Sequence, residues 1–113
     1  MPSRKADTLI RMLDDEEHRW RAIEKLEVLS RLDGEANAAV TKLWEIVWNR
    51  NKEAPAPLNQ RISALRAIGA INKTTSGLAR DLFELIINPQ TDFSLRVEAA
   101  LQLGKLRKSA RNI

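Results

Sequence analysis

The chain of 113 residues contains no cysteine and a single histidine, His18. The first absence excludes disulfides, thiolate nucleophiles, iron–sulfur clusters and cysteine zinc sites together, and the second excludes any site built on a pair of imidazoles. Glycine and proline number four each. Most of them stand between periodic segments as punctuation, and no glycine-rich, phosphate-cradling loop is present. No stretch alternates apolar and polar residues long enough to argue for a strand. No apolar run approaches the ~18 to 20 residues of a bilayer span. The opening residues Met1-Pro2-Ser3-Arg4-Lys5 lack the apolar region of a secretory signal, and the expectation is a cytoplasmic chain with no membrane partner.

What is present is ordinary globular composition, 43% hydrophobic, with 19 basic against 15 acidic residues and a net charge of +4. This length suits one domain over residues 1–113, with 1–6 and 110–113 expected as flexible ends. Six helices are predicted. The first covers Asp7–Leu13 with Asp7 as N-cap, and the second Glu16–Leu32 behind the acidic run Asp14 to Glu17, which suits the positive end of a helix dipole. Asp33-Gly34 stops it. The third, Glu35–Arg50, ends at a connector carrying Pro55 and Pro57, and the fourth spans Asn59–Asn72 with Asn59 as cap. Thr74 to Gly77 turn the chain into the fifth, Leu78–Ile87, which Asn88-Pro89 terminates; Asp92 caps a sixth helix running to Ser109.

The second, fourth and sixth helices repeat one another. Arg19, Arg61 and Arg96 fall in one column, followed by Trp20, Ile62 and Val97, by Ala22, Ala64 and Ala99, and by Ile23, Leu65 and Ala100. Leu26, Ile68 and Leu103 continue the match, and Leu29, Ile71 and Leu106 close it; Gly69 and Gly104 also coincide, where the second helix has Glu27. A two-helix unit cannot hide its apolar stripe alone, so repeated units must cover one another.

The run from Asp92 through Arg96, Ala99-Ala100 and Leu103-Gly104 resembles the short HEAT-like repeats of the phycobilisome-lyase type, and Leu9 to Asp15 resembles the end of a partner helix with its acidic turn. The resemblance implies an all-α fold, a short right-handed α-solenoid of about six helices arranged as HEAT-like hairpins. It also implies a ladder of Asp and Arg contacts: Asp15 and Asp92 stand four residues before Arg19 and Arg96, while Pro57 takes the Asp position before Arg61. Each Arg is expected to reach a neighbouring carboxylate or carbonyl.

Catalysis is not expected. His18 has no Ser, Cys or Asp at a recognised motif spacing. The run Asp14, Asp15, Glu16, Glu17, if helical, points its carboxylates in different directions, and no metal or cofactor is predicted. The informative feature is surface. On the third helix Ala36, Val40, Leu43 and Val47 form the core stripe, with Trp44 on its flank and Trp48 mostly outside it. On the fifth, Leu78, Leu82 and Leu85 form the stripe, with Phe83 and Ile87 away from it. Interior helices of a stack need a wide apolar arc, so these residues suit burial as well as a partner-binding patch.

The sixth helix is more unusual. Glu98, Gln102, Lys105 and Ser109 make one narrow polar stripe, and apolar residues fill most of the remaining circumference. Leu101 occupies a column that is charged in the other copies, Glu24 and Arg66. A terminal helix should carry a polar outer face. This one has the character of an interior helix, which points to a protein partner or a homo-oligomer contact through it, unless its apolar side packs wholly on the fifth helix.

Residues 1–56 hold 10 basic and 11 acidic residues and residues 57–113 hold 9 and 4, so the positive charge collects in the C-terminal half, with Arg96, Lys105, Arg107, Lys108 and Arg111. The expected function is a non-catalytic protein-interaction or scaffold module, a subunit or adaptor of a larger complex, docking through Trp44, Trp48, Phe83, Ile87 and Leu101. The alternative is sequence-independent nucleic-acid binding through the five basic residues, a use to which some HEAT-like proteins such as alkylpurine DNA glycosylases put a basic helical surface. No aromatic is interleaved with those cations to stack bases.

Overall fold

The computed structural model describes residues 4–32, 39–50, 52, 55–71 and 76–111, and within these the side chains of residues 4–6, 29–32, 76 and 107–111 are not described. Six helices follow in order: α1 Arg4–Met12, α2 Arg19–Leu32, α3 Val40–Val47, α4 Leu58–Ile71, α5 Ser76–Ile87 and α6 Phe93–Arg111. No strand occurs among the described residues, and among them no helix is long and apolar enough to cross a membrane. Two compact units divide the chain, Met1–Ile71 with α1 to α4 and Asn72–Ile113 with α5 and α6.

In the first unit α1 packs on α2 and α3 on α4, and the second members of the two pairs, α2 and α4, pack against each other. The core is made by Leu9 and Leu13 from the first pair's leading segment, Ala22, Ile23 and Leu26 from α2, Leu43, Ile46 and Val47 from α3, and Ala64, Leu65, Ala67 and Ile68 from α4. In the second unit α5 packs on α6. Leu78, Leu82 and Leu85 are buried from α5, and Leu95 and Ala99 from α6. Of the expected core stripes Leu43 and Val47 and all of Leu78, Leu82 and Leu85 are buried, while Val40 is half-buried. Ala36, the Leu29 side chain and the turns Asp33-Gly34 and Thr74-Thr75 lie outside the described residues.

Several helix starts differ from expectation, each for a local reason. Helix α1 begins at Arg4 and takes Asp7 into its first turn, where the carboxylate faces the positive end of the dipole without capping it. Helix α2 begins at Arg19 instead of Glu16: the Asp15 carboxylate accepts the Glu17 N–H at 3.1 Å and the Asp15 carbonyl accepts the His18 N–H at 3.1 Å, so the acidic run forms a turn ahead of the helix. Helix α4 starts at Leu58, with the Pro57 carbonyl accepting from the Gln60 and Arg61 N–H groups, so Asn59 sits in the first turn instead of at the cap. Asp92 is the N-cap of α6 as its sequence position implies, accepting the Ser94 N–H at 3.1 Å.

Helix α3 ends earlier than Arg50, and its terminus is built on Asn49. That residue adopts a left-handed φ of 56°. The Asn49 N–H donates to the Ile46 carbonyl and the Arg50 N–H to the Glu45 carbonyl, both at 3.0 Å, which is the Schellman pattern with asparagine where glycine is commoner. The Asn49 Oδ1 then accepts the Ala56 N–H at 2.8 Å and fastens the proline-bearing connector to the helix end.

Candidate interaction surface

The repeated arginine performs the same task in all three helix pairs. Arg19 Nε donates to the Leu13 carbonyl at 3.1 Å, Arg61 Nε to the Val47 carbonyl at 2.9 Å, and Arg96 Nη2 to the Asn88 carbonyl at 2.7 Å. Each acceptor stands at the C-terminal end of the preceding helix, where carbonyls lack an intrahelical partner and the dipole is negative. A guanidinium on the second helix therefore closes each pair onto the first. The alanine column agrees as well, since Ala22, Ala64 and Ala99 are all fully buried.

The copies diverge one residue further on. Ile23 and Leu65 are fully buried, whereas Ala100 in the same column is exposed. Around it on α6 lie Phe93 (77% exposed), Val97 (43%) and Leu101 (57%). Gly104 is exposed too. At 100° per residue these five positions fall within an arc of about 100°. This face of α6 is bare and apolar; of its columns only that of Ala100 is buried in both other copies, since Trp20 in the Val97 column and Glu24 and Arg66 in the Leu101 column are exposed.

The narrow polar stripe of α6 is mostly inside. Glu98 and Gln102 are 5% exposed each, and Lys105 alone of the described members is exposed. The physical reason is the i, i+4 spacing: Gln102 Nε2 donates to Glu98 Oε2 at 2.9 Å, so each side chain meets part of the other's hydrogen-bonding need on burial. Ser109 carries no described side chain.

Of the five residues expected to bind a partner, Trp44 and Trp48 belong to the first unit and are half-buried. Phe83 (54% exposed) and Ile87 (60%) share the solvent side of α5 in the second unit, opposite its buried leucines, and Leu101 shares α6's bare face with Phe93 and Val97. Phe93 and Val97 are additions to the sequence-based set. Val97 stands four residues before Leu101, one helical turn away, and Phe93 eight, but only their exposure marks them. Trp20 on α2 is also exposed at 43%, with the Arg21 guanidinium 5.9 Å from its ring centroid, a cation–π pairing.

The basic set is less uniform. Lys105 is exposed; Arg96 is half-buried and occupied by the Asn88 carbonyl; the side chains of Arg107, Lys108 and Arg111 lie outside the described residues. Elsewhere, Asp15, Glu17 and His18 bring ligand-type atoms within 4.8 Å of one another, all exposed. Their convergence corrects the helical expectation for this run: residues in a turn meet where residues on a helix diverge. His18 Nδ1–H donates to Asp15 Oδ2 at 2.7 Å, and this bond, with the Glu17 N–H second, holds the Asp15 carboxyl below the usual carboxylate range. Comparison with family models, curated proteins and solved structures found no match.

Proposed function

We propose that the chain is a non-catalytic protein-interaction module of the HEAT-like, stacked-hairpin type, a scaffold subunit or adaptor that docks through the bare face of α6. Support for the hairpin reading comes from the threefold arginine-to-carbonyl contact and from the side-by-side packing of α2 and α4. The observation that carries the function is the joint exposure of Phe93, Val97, Ala100 and Leu101 on one side of α6; in the Ala100 column Ile23 and Leu65 of the other copies are buried. Large apolar side chains left together in water mark a surface that another protein covers. Phe83 and Ile87 on α5, with Trp44 and Trp48 on α3, are secondary candidates on the same reasoning.

The test is retention of a protein partner by the immobilised full chain and by its Leu101→Glu variant. The expected result is a partner held by the wild type and released by the variant, with unchanged far-ultraviolet circular dichroism. Equal retention by both removes α6 as the docking face. The nucleic-acid alternative predicts duplex DNA binding that falls steeply between two salt concentrations; it is the weaker reading because Arg96, one of the five basic residues, is engaged within its own hairpin.

A further inference from the structure

The two units differ in what they bury. Among the described residues, the first unit buries fourteen apolar side chains and a single charged one, Arg19, whose Nε–H donates to the Leu13 carbonyl. The second buries five apolar side chains, Leu78, Leu82, Leu85, Leu95 and Ala99, against three polar ones, Thr91, Glu98 and Gln102. A buried polar group favours the folded state only when its hydrogen bonds are met. Gln102 donates to Glu98, but Thr91 Oγ1 and Arg96 Nε are shut from solvent with no hydrogen-bond partner. Thr91 lies in the turn between α5 and α6 and Arg96 in the first turn of α6. When the two helices part, water supplies both missing bonds.

Backbone entropy acts in the same direction. Gly104 stands in the interior of α6, where glycine loses more conformational freedom on ordering than any other residue. A Cβ built there meets nothing within 4 Å, so no close packing offsets that loss. Small units with so few buried apolar groups are commonly held together by a cross-link, and the chain has no cysteine to make one.

We propose that α5 and α6 open and close together as one cooperative unit while α1 to α4 stay folded, so that the chain has two levels of stability and the α5–α6 hairpin holds the lower one. The Arg96 bond to the Asn88 carbonyl, the Glu98–Gln102 pair and the small leucine core come apart in a single step. The opening is a property of the chain by itself, whatever docks on α6. A protein that binds only the closed hairpin suppresses it by mass action, which makes the order of this segment responsive to binding.

Native-state hydrogen exchange on the full chain, read amide by amide by NMR at rising sub-denaturing concentrations of guanidinium chloride, tests the proposal. The interior amides of α5 and α6 converge on one shared opening, with protection below that of α2 and α4 by roughly tenfold or more. Gly104→Ala raises protection about two- to fivefold in α6, raises it equally in α5, and leaves α2 and α4 unchanged. This variant strengthens the fold, so misfolding does not obscure the reading. Leu82→Ala hollows the core from the other helix and lowers protection roughly a hundredfold in α6 as well as α5, again sparing α2 and α4. A single protection level shared by all six helices, or a higher one in α5 and α6, overturns the proposal. So does a Gly104→Ala effect that spreads to α2 and α4, stays within α6 or is absent, and so does a loss of protection throughout the chain on Leu82→Ala.

Discussion

Arg19 sits over the end of the first helix, its Nε–H donating at 3.1 Å to the carbonyl of Leu13 while its side chain is 2% exposed. A buried guanidinium is tolerable only when its donors are used, and a terminal carbonyl is a strong acceptor at the negative end of a dipole. Removing it leaves the carbonyl unsatisfied in a buried place. Arg19→Met is expected to lower stability by about 2 kcal/mol, and Arg19→Lys, which keeps the charge without the planar fork, by less. Arg80→Ala, at an exposed position of α5, is the control, with an expected change within about 0.5 kcal/mol. Chemical denaturation midpoints check the ordering; equal effects at Arg19 and Arg80 dispose of the hairpin-closing role.

The connector after α3 gives a conformational test. Asn49 carries two separable contributions, its left-handed backbone and its side-chain bond to the Ala56 N–H at 2.8 Å. Asn49→Gly preserves the first and loses the second, for an expected cost of about 1 kcal/mol or less. Asn49→Ala loses both, adding about 1 to 2 kcal/mol of left-handed strain. Stability should therefore fall in the order Asn, Gly, Ala. An alanine variant as stable as the glycine variant rules out the left-handed cap as a source of stability.

These two cases show how unevenly the sequence discloses the molecule. Helix number and type were legible, because apolar periodicity and the Pro and Gly positions mark them strongly. The alignment of Arg19, Arg61 and Arg96 was legible too, and all three do one job. Which side of α6 faces inward was not. Its apolar residues occupy most of the circumference, so hydrophobicity alone does not orient it, and burial of Glu98 and Gln102 depends on a hydrogen bond between them that polarity does not foretell. Asn49 was hidden for a related reason: asparagine reads as a polar connector residue unless the backbone angle is known. For the candidate site, Leu101 stood out because its column is charged elsewhere, whereas Phe93 has no informative column and emerges only from its exposure.

The turn before α2 predicts a pH response. Asp15 titrates below its ordinary value, chiefly because the His18 imidazole donates to it and secondarily because the Glu17 N–H does. A carboxyl whose folded pKa is depressed stabilises the fold above the unfolded carboxylate value, and that contribution disappears as pH falls through the folded value. The window thus lies at and below about pH 4. In a carboxyl NMR titration, His18→Ala should move the Asp15 midpoint upward toward the ordinary carboxylate range. An unchanged midpoint assigns the depression to the Glu17 N–H and the neighbouring Arg19 instead.

Trp48 separates a docking residue from a core residue. It stands at the C-cap of α3, half-buried, and its backbone N–H donates to the Trp44 carbonyl at 3.0 Å, a bond that a side-chain truncation leaves in place. Leu43, five residues earlier in α3, is fully buried. Truncating a fully buried leucine costs about 2 to 5 kcal/mol and a fully buried tryptophan about 3 to 5, whereas a surface change stays within about 0.5. With part of its ring in water, Trp48→Ala falls between these limits, at about 1 to 2 kcal/mol, and below Leu43→Ala in the same denaturation series. Its affinity for a partner should fall proportionately more than its stability, because the exposed part of the ring serves only the contact. If Trp48→Ala instead lowers the denaturation midpoint as far as Leu43→Ala, the ring belongs to the core of α3 and its pair, and Trp48 drops out of the docking surface.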